Sequence, residues 1–212
     1  MNQVQNSQQI HIEFLLEEHS AEAALMNIVP KILGPTVSLR FHPYSGKRDL
    51  LDKLPWRLKA YSRWLPTNWR IVVLVDRDQE DCEWLKAKLE QNAQDASLPT
   101  KSSPWPSPRI VLNRLAIEEL EAWFFGDVDA LIRAYPRLGR NIAAKARYRD
   151  PDAIGGGTWE ALEKELKQAG YYQGGLAKIK LARDVSTYMD PDRNRSRSFQ
   201  VFRKGLLELV RQ

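Results

Sequence analysis

The feature that most constrains the fold is an uninterrupted apolar run that ends in two carboxylates. Residues 71–75 read IVVLV, and Asp76 and Asp78 follow directly. A run of mostly β-branched residues without polar alternation is typical of a strand that is covered on both faces within a parallel sheet. The sequence therefore predicts a buried strand with two acidic side chains at its carboxyl end.

The same two aspartates predict a metal site. Residues two apart in an extended chain project to one side, so we expect Asp76 and Asp78 to lie together. Paired carboxylates suit a hard divalent cation, and ligands of open α/β sheets collect at the carboxyl ends of strands. An aspartate after a strand is also common as a helix cap or turn residue, so the motif alone leaves both roles open.

Three further segments have strand patterns and alternate with helical patterns. The predicted strands are residues 10–18, 36–42 and 109–113, and the predicted helices of this half are 20–33, 47–65, 81–93 and 114–127. Ser20 is the expected N-cap of the first helix. Strands that alternate with helices indicate parallel βαβ units. We therefore expect an α/β fold with a core at residues 10–126, in which helices flank a four-stranded, mainly parallel sheet.

The chain changes character after residue 126. No strong strand pattern remains, and the apolar periodicity is helical at residues 130–135, 158–169, 176–189 and 199–210. The sequence therefore predicts a helical C-terminal part, residues 127–212, that packs on the core.

Other acidic residues fall near the predicted strand ends. Glu17 arrives at the same sheet edge as Asp76 and Asp78 if the first and third strands are parallel neighbours. Glu118 and Glu121 are spaced to share one face of the helix predicted after the fourth strand. Glu121 has apolar neighbours in sequence, and an enclosed carboxylate requires a cation or hydrogen bonds. We therefore predict that the Glu121 carboxylate reaches the crevice that holds Asp76, and a solvated acidic helix face is the alternative.

Composition excludes several classes of site. The single cysteine, Cys82, rules out an intramolecular disulfide and a cysteine-cluster zinc site, and the three scattered histidines have no metal-protease spacing. No run of about 18 apolar residues occurs, and the polar start lacks the apolar centre of a signal peptide. A cytoplasmic protein without a membrane partner is the expectation.

Three motifs near the strand ends resemble a known core. LLEEHSAE closes the first predicted strand, LVDRD closes the third, and IEELEAWFFGD follows the fourth. Together they resemble the Toprim-like core shared by topoisomerases, primases and OLD-type nucleases. With YRDPDAIGGGTWEAL and NRSRSFQVFRKGL added, the chain resembles a bacterial family of domains of unknown function, number four-two-seven-six, over roughly residues 10–210.

The resemblance implies roles for four acidic residues. Glu17 matches the Toprim glutamate, and Asp76 and Asp78 match the two aspartates of the metal motif. These three would be catalytic. Glu121 matches the acid of the family's Glu-x-Trp motif and would join them in holding Mg²⁺ or Mn²⁺. Glu18 stands where the Toprim pattern has glycine, and its charge would oppose binding of a phosphate.

Basic residues supply expected contacts to a polyanion. The net charge of +5 is compatible with a nucleic acid partner. Arg193, Arg195 and Arg197 precede the last predicted helix, and cationic side chains beside free backbone N–H groups form a phosphate site. A solvated basic turn is the alternative. If the protein binds nucleic acid, Lys178 would contact backbone phosphates together with these arginines.

Three functions remain open. The first is a Toprim-like nuclease that carries out metal-dependent phosphodiester chemistry on nucleic acid, in a phage-defence or DNA-maintenance system that includes an ATPase partner. The second is a non-catalytic, metal-binding partner or regulatory module of such an ATPase. The third is a manganese-dependent nucleotide-sugar transferase, which the short chain disfavours. Phosphatases of the Asp-x-Asp-x-Thr kind are also disfavoured, because Glu80 occupies the threonine position.

Overall fold

A computed structural model describes residues 9–103, 108–175 and 177–211. The polar start discussed above, residues 1–8, lies outside the described residues. Four strands form one sheet: β1 (His11–Leu16), β2 (Ser38–Pro43), β3 (Trp69–Asp76) and β4 (Val111–Ala116). Their order is β2-β1-β3-β4 and all three pairings are parallel. The carboxyl ends of all four strands therefore lie along one edge of the sheet.

Helices connect the strands and continue after the last one. The α-helices are α1 (His19–Leu33), α2 (Lys47–Tyr61), α3 (Cys82–Asp95), α4 (Glu121–Gly126), α5 (Val128–Ala134), α6 (Thr158–Gln168), α7 (Lys178–Tyr188) and α8 (Arg197–Val210). Three short 3-10 helices, Arg140–Ala144, Ala146–Tyr148 and Pro151–Ala153, lie between α5 and α6. The predicted α/β fold with a helical C-terminal part is confirmed.

Alternate strand residues serve two separate cores. Phe14 and Val72 pack with α1, α4, α7 and α8 on one face of the sheet. Leu15 and Val73 pack with α2 and α3 on the other face. This double coverage explains why β3 has no polar alternation. The C-terminal helices share the first of these cores with α1. The division of the chain into a core and a C-terminal part at residue 126 stays a prediction.

The structure corrects two local predictions. α1 begins at His19, so Ser20 lies inside its first turn and Glu18 occupies the N-cap position. β4 continues through Ala116, because its pairing with β3 extends to Asp76, and α4 begins only at Glu121. Glu118 lies in the intervening turn with φ of 55°. Glu118 and Glu121 therefore do not share a helix face.

Buried Asp127 connects the C-terminal segment to α5. Its carboxylate accepts from the backbone N–H of Ala130 at 3.2 Å and from that of Asp190 at 2.8 Å. The Arg193 guanidinium donates to both oxygens at 3.0 Å. Bidentate arginine pairs and charged acceptors of backbone N–H groups are among the stronger hydrogen bonds in proteins. Arg193 therefore has a structural partner.

We expect Asp127→Ala to destabilise the protein by about 2–4 kcal/mol, because it removes a helix cap and charge-assisted hydrogen bonds. Urea unfolding followed by circular dichroism measures the change. The matched control is Asp129→Ala, whose side chain is 68% exposed and whose contact with Arg193 is 3.7 Å long. Equal effects of the two substitutions would contradict this account of Asp127.

Candidate functional site

Glu17 and Asp76 meet at the carboxyl edge of the sheet. Glu17 directly follows β1 and Asp76 is the last residue of β3, its central neighbour. The backbone N–H of Asp76 donates to Glu17 Oε2 at 3.1 Å. The expectation that these two carboxylates reach a common edge is confirmed.

The surroundings of these carboxylates oppose their ionisation. Burial raises the pKa of Glu17 to about 7, although the Asp76 N–H and the Lys47 charge act in the opposite direction. Burial also raises the pKa of Asp76 well above its ordinary value, and the charges of Glu17 and Glu121 raise it further. Full ionisation of both carboxylates would therefore place more negative charge at this edge than its surroundings neutralise.

Glu121 adds a third carboxylate whose charge acts on this edge. It is the first residue of α4 and only 1% exposed, and its Oε2 atom has no hydrogen-bond partner among the described residues. Burial raises the pKa of Glu121 to about 7, despite the nearby charge of Lys178. Its charge acts on Asp76. The carboxylate is therefore enclosed within electrostatic reach of Asp76, and its Oε2 atom lacks a partner among the described residues. Its entry into the crevice as a metal ligand stays a prediction.

Asp78 is placed differently from Asp76. Because β3 ends at Asp76 and Asp78 has a left-handed φ of 52°, the expectation that the chain is extended through Asp78 is wrong. The charge of Asp78 nevertheless acts on Glu17 and Asp76. The Asp78 side chain is 48% exposed, and its Oδ2 atom accepts from Lys47 Nζ at 2.5 Å. Lys47 also contacts Glu80 at 3.2 Å. A lysine therefore already neutralises Asp78, and its role as a metal ligand stays a prediction.

Lys47 is a residue of the site that the sequence analysis did not identify. The available signal was that α2 follows β2, so the first residue of α2 had to lie at the carboxyl edge. Burial lowers the pKa of Lys47, but its contact with Asp78 outweighs this effect and the pKa is raised. Lys47 therefore remains a cation at neutral pH.

Lys178, predicted to contact phosphates, lies beside the acidic edge. Its Nζ atom is 4.0 Å from Glu18 Oε1 and 4.5 Å from the centre of the Trp159 ring. Burial lowers the pKa of Lys178, but the charges of Glu121 and Glu18 outweigh this effect and raise it. Glu119 accepts from the backbone N–H of Trp159 at 2.8 Å and so connects α6 to the same region.

A cleft of about 570 Å³ opens next to the acidic edge. Three segments line it: the start of α1, the loop before α2 and the start of α7. None of these three helices has a side-chain N-cap hydrogen bond. By contrast, α3, α5 and α8 are capped by Asp81, Asp127 and Ser196. Helix starts without side-chain caps leave backbone donors available to an anion.

The arginine segment before α8 departs from the expected anion site. The backbone N–H groups of Arg197 and Ser198 donate to Asp152 Oδ2 at 2.5 and 3.1 Å, so the expectation that they are free is wrong. Sequence reasoning missed this contact because Asp152 lies in the 3-10 helix Pro151–Ala153, far away along the chain. The side chains of Arg195 and Arg197 are exposed, and their contacts with nucleic acid stay a prediction.

The described ranges contain no group of three His, Cys, Asp or Glu side chains arranged to hold a metal ion. Glu17 and Asp76 nevertheless suit a cation, because both are partly accessible carboxylates that lack full neutralisation. Mg²⁺ commonly takes only one or two protein carboxylates and completes its shell with water and substrate phosphate. The donor set is therefore compatible with Mg²⁺ or Mn²⁺ bound by two carboxylates.

Comparisons with known proteins give one match. The family model described as Domain of unknown function (DUF4276) matches residues 6–207. No curated protein and no solved structure gives a significant match. Within the residues that the structure describes, no helix is both long and apolar enough to cross a membrane.

The raised pKa of Glu121 predicts how Glu121→Gln changes stability with pH in metal-free buffer. From pH of about 4.5 to pH of about 7, the folded protein binds the Glu121 proton more tightly than the unfolded chain does, so ionisation of Glu121 costs stability as the pH rises. Glu121→Gln removes this cost. The stability of the variant relative to wild type should therefore rise across this window, by up to about 3 kcal/mol at about 1.4 kcal/mol per pKa unit.

Urea unfolding of both proteins at several pH values measures this difference. Glu83→Gln, on the exposed first turn of α3, is the control and should show no such trend. A relative stability of Glu121→Gln that stays constant or falls with rising pH would show that the Glu121 charge is already compensated.

Proposed function

We propose a function from the site itself, because the chain belongs to the DUF4276 family of domains of unknown function and this membership names no reaction. The proposed function is metal-dependent phosphodiester chemistry on nucleic acid, as in Toprim-like nucleases. The main support is the set of incompletely neutralised carboxylates at the sheet edge: Glu17, Asp76 and Glu121.

Glu17 and Asp76 are the proposed ligands of Mg²⁺ or Mn²⁺. A bound divalent ion would lower the pKa of both groups and supply Lewis-acid stabilisation of a phosphoryl oxygen. The charge of Glu121 acts on Asp76 and would strengthen the negative potential that attracts the cation. We do not include Asp78, because Lys47 holds it at 2.5 Å. In this arrangement Lys47 and Asp78 form a fixed ion pair at the side of the metal site.

The cleft between the starts of α1, α2 and α7 is the proposed phosphate site. The uncapped helix starts offer backbone N–H donors, and Lys178 offers a fixed positive charge. The same cleft borders the acidic edge, because Glu18 and Lys178 line it while their charges act on Asp76. A phosphate held there would lie between Lys178 and the proposed metal.

Glu18 is the observation that favours the alternative function, a non-catalytic metal-binding partner or regulatory module of an ATPase. Its side chain lines the cleft in which a phosphate should bind. Lys178 is 4.0 Å away and offsets only part of its charge, because Lys178 also lies close to Glu121. If Glu18 excludes phosphates, Glu18→Gly should raise phosphate binding by the purified protein.

Cleavage assays test the enzymatic proposal. We expect wild-type protein to cut labelled DNA or RNA with Mg²⁺ or Mn²⁺ and not with EDTA. Asp76→Asn and Glu17→Gln should each reduce the rate by at least about a hundredfold, because metal-site substitutions remove transition-state stabilisation. Asp52→Asn, with a side chain 71% exposed on α2, is the control and should keep the rate. Metal binding without any cleavage would support the non-catalytic alternative.

Metal binding itself is a separate prediction. Calorimetric titration should show that Mg²⁺ or Mn²⁺ binds wild type, and that Asp76→Asn with Asp78→Asn abolishes binding while the fold is retained. Asp78→Asn alone should weaken it only modestly, because Lys47 already pairs with Asp78. The metal-free double variant should melt at or above the wild-type temperature, because repulsion between carboxylates is reduced. Equal affinity in wild type and double variant would contradict the proposed site.

A further inference from the structure

A second cavity lies on the other side of the acidic edge, at the border of the sheet. Its volume is about 470 Å³, within the range of small-molecule sites. It lies between α3, β4 and α8, and its apolar wall consists of Leu115, Ile117 and Val201. Because β4 is the outermost strand on this side, the cavity opens along a free sheet border.

Cations are arranged around this apolar wall. The guanidinium group of Arg114 donates to the carbonyl of Asn113 at 2.8 Å and to that of Val201 at 3.3 Å. A Cβ atom at Gly205 would lie 2.5 Å from Arg114 Nη2, so a larger residue there would force this guanidinium group to shift. The Nε and Nη1 atoms of Arg114 are thus occupied, and the charges of Glu90 and Glu208 act on this guanidinium group. An anion in the cavity would therefore meet the exposed Arg197 side chain and the Nη2 group of Arg114.

The acidic groups of the cavity suit a ligand that also carries hydrogen-bond donors. Asp152 accepts from the side chains of Ser196 and Ser198 and from two backbone N–H groups, so it is fully occupied. Asp150 is exposed and one of its oxygens accepts from the Asp152 N–H at 3.0 Å. Its second oxygen could accept from a donor on the ligand. A simple fatty acid would satisfy the guanidinium groups but would offer no donor to Asp150.

We propose that this cavity binds a nucleoside phosphate, with the base against the apolar wall and the phosphate near Arg114 and Arg197. The choice of a nucleotide rests partly on the proposed function. Ile117 lies one residue beyond the Asp76–Ala116 pair of the sheet, and Cys82 lies four residues after Asp78. The cavity therefore lies at β4, the strand next to the one that carries Asp76. It could hold a free nucleotide or the nucleotide next to the scissile phosphate of a strand.

Cys82 provides a direct test, because it is the only cysteine of the chain, is exposed and lines the cavity. The rate at which a chromogenic disulfide reagent modifies its thiol is measured in EDTA, with nucleoside 5′-monophosphates or short oligonucleotides added. The proposal predicts that the modification rate falls about tenfold when the ligand concentration is near ten times Kd, and that this protection saturates, by mass action. Protection by mononucleotides would show that the ligand is a free nucleotide. Protection by oligonucleotides alone would show that the cavity holds one nucleotide of a strand.

Matched arginine variants locate the protection. Arg197→Gln should abolish it, whereas Arg195→Gln should retain it, since Arg195 is exposed in the same segment but does not line the cavity. Arg114→Gln is a second variant inside the cavity, and it should also reduce the protection of Cys82. The proposal is overturned if no nucleotide or oligonucleotide protects Cys82, if Arg114→Gln and Arg197→Gln both keep full protection, or if octanoate protects as well as a nucleotide. Because the assay contains EDTA, its result does not depend on metal-dependent activity.

Discussion

The structure of the site depends on the convergence of carboxylates at the ends of parallel strands. β1 and β3 are hydrogen-bonded neighbours, so Glu17 and Asp76 must reach the same edge. The Asp76 N–H donates a hydrogen bond to Glu17 at 3.1 Å. This single donor does not offset the burial of both groups, which explains why both pKa values are raised. A divalent cation is the partner that we propose for this arrangement.

The C-terminal helices complete this environment on the face of the sheet that α1 covers. α7 packs against α1, and its first residue places the Lys178 ammonium beside the acidic edge. Asp127 and Asp152 hold the chain before α8, and each accepts from backbone N–H groups far away in sequence. The helical part therefore supplies both a cation for the site and the supports that fix its position. This dependence means that the acidic edge is not a property of the sheet alone.

Sequence patterns predicted the parts of this structure that depend on local periodicity. The apolar run 71–75 predicted a strand covered on both faces, and parallel topology then placed Glu17 beside Asp76. The placement of Asp78 could not be predicted, because a left-handed φ of 52° at a non-glycine residue leaves no sequence signal. The pairing of Asp152 with the start of α8 was equally hidden, because it joins residues more than 40 positions apart, Asp152 and Arg197. Tertiary contacts of this kind also determine which of the predicted phosphate-binding arginines pair with a carboxylate of the protein, as Arg193 does.

The most direct test of the central claim is anomalous diffraction from crystals soaked in Mn²⁺ above neutral pH, where Glu17 and Glu121 are ionised. The account predicts an anomalous peak about 2.1 Å from the Asp76 carboxylate, with Glu17 as the second protein ligand and water completing the shell. The Lys47–Asp78 pair should remain intact. A manganese peak that lies only at a lattice contact does not count as this result. The absence of a peak at Asp76, with the carboxylates protonated or bound to lysine instead, would contradict the account.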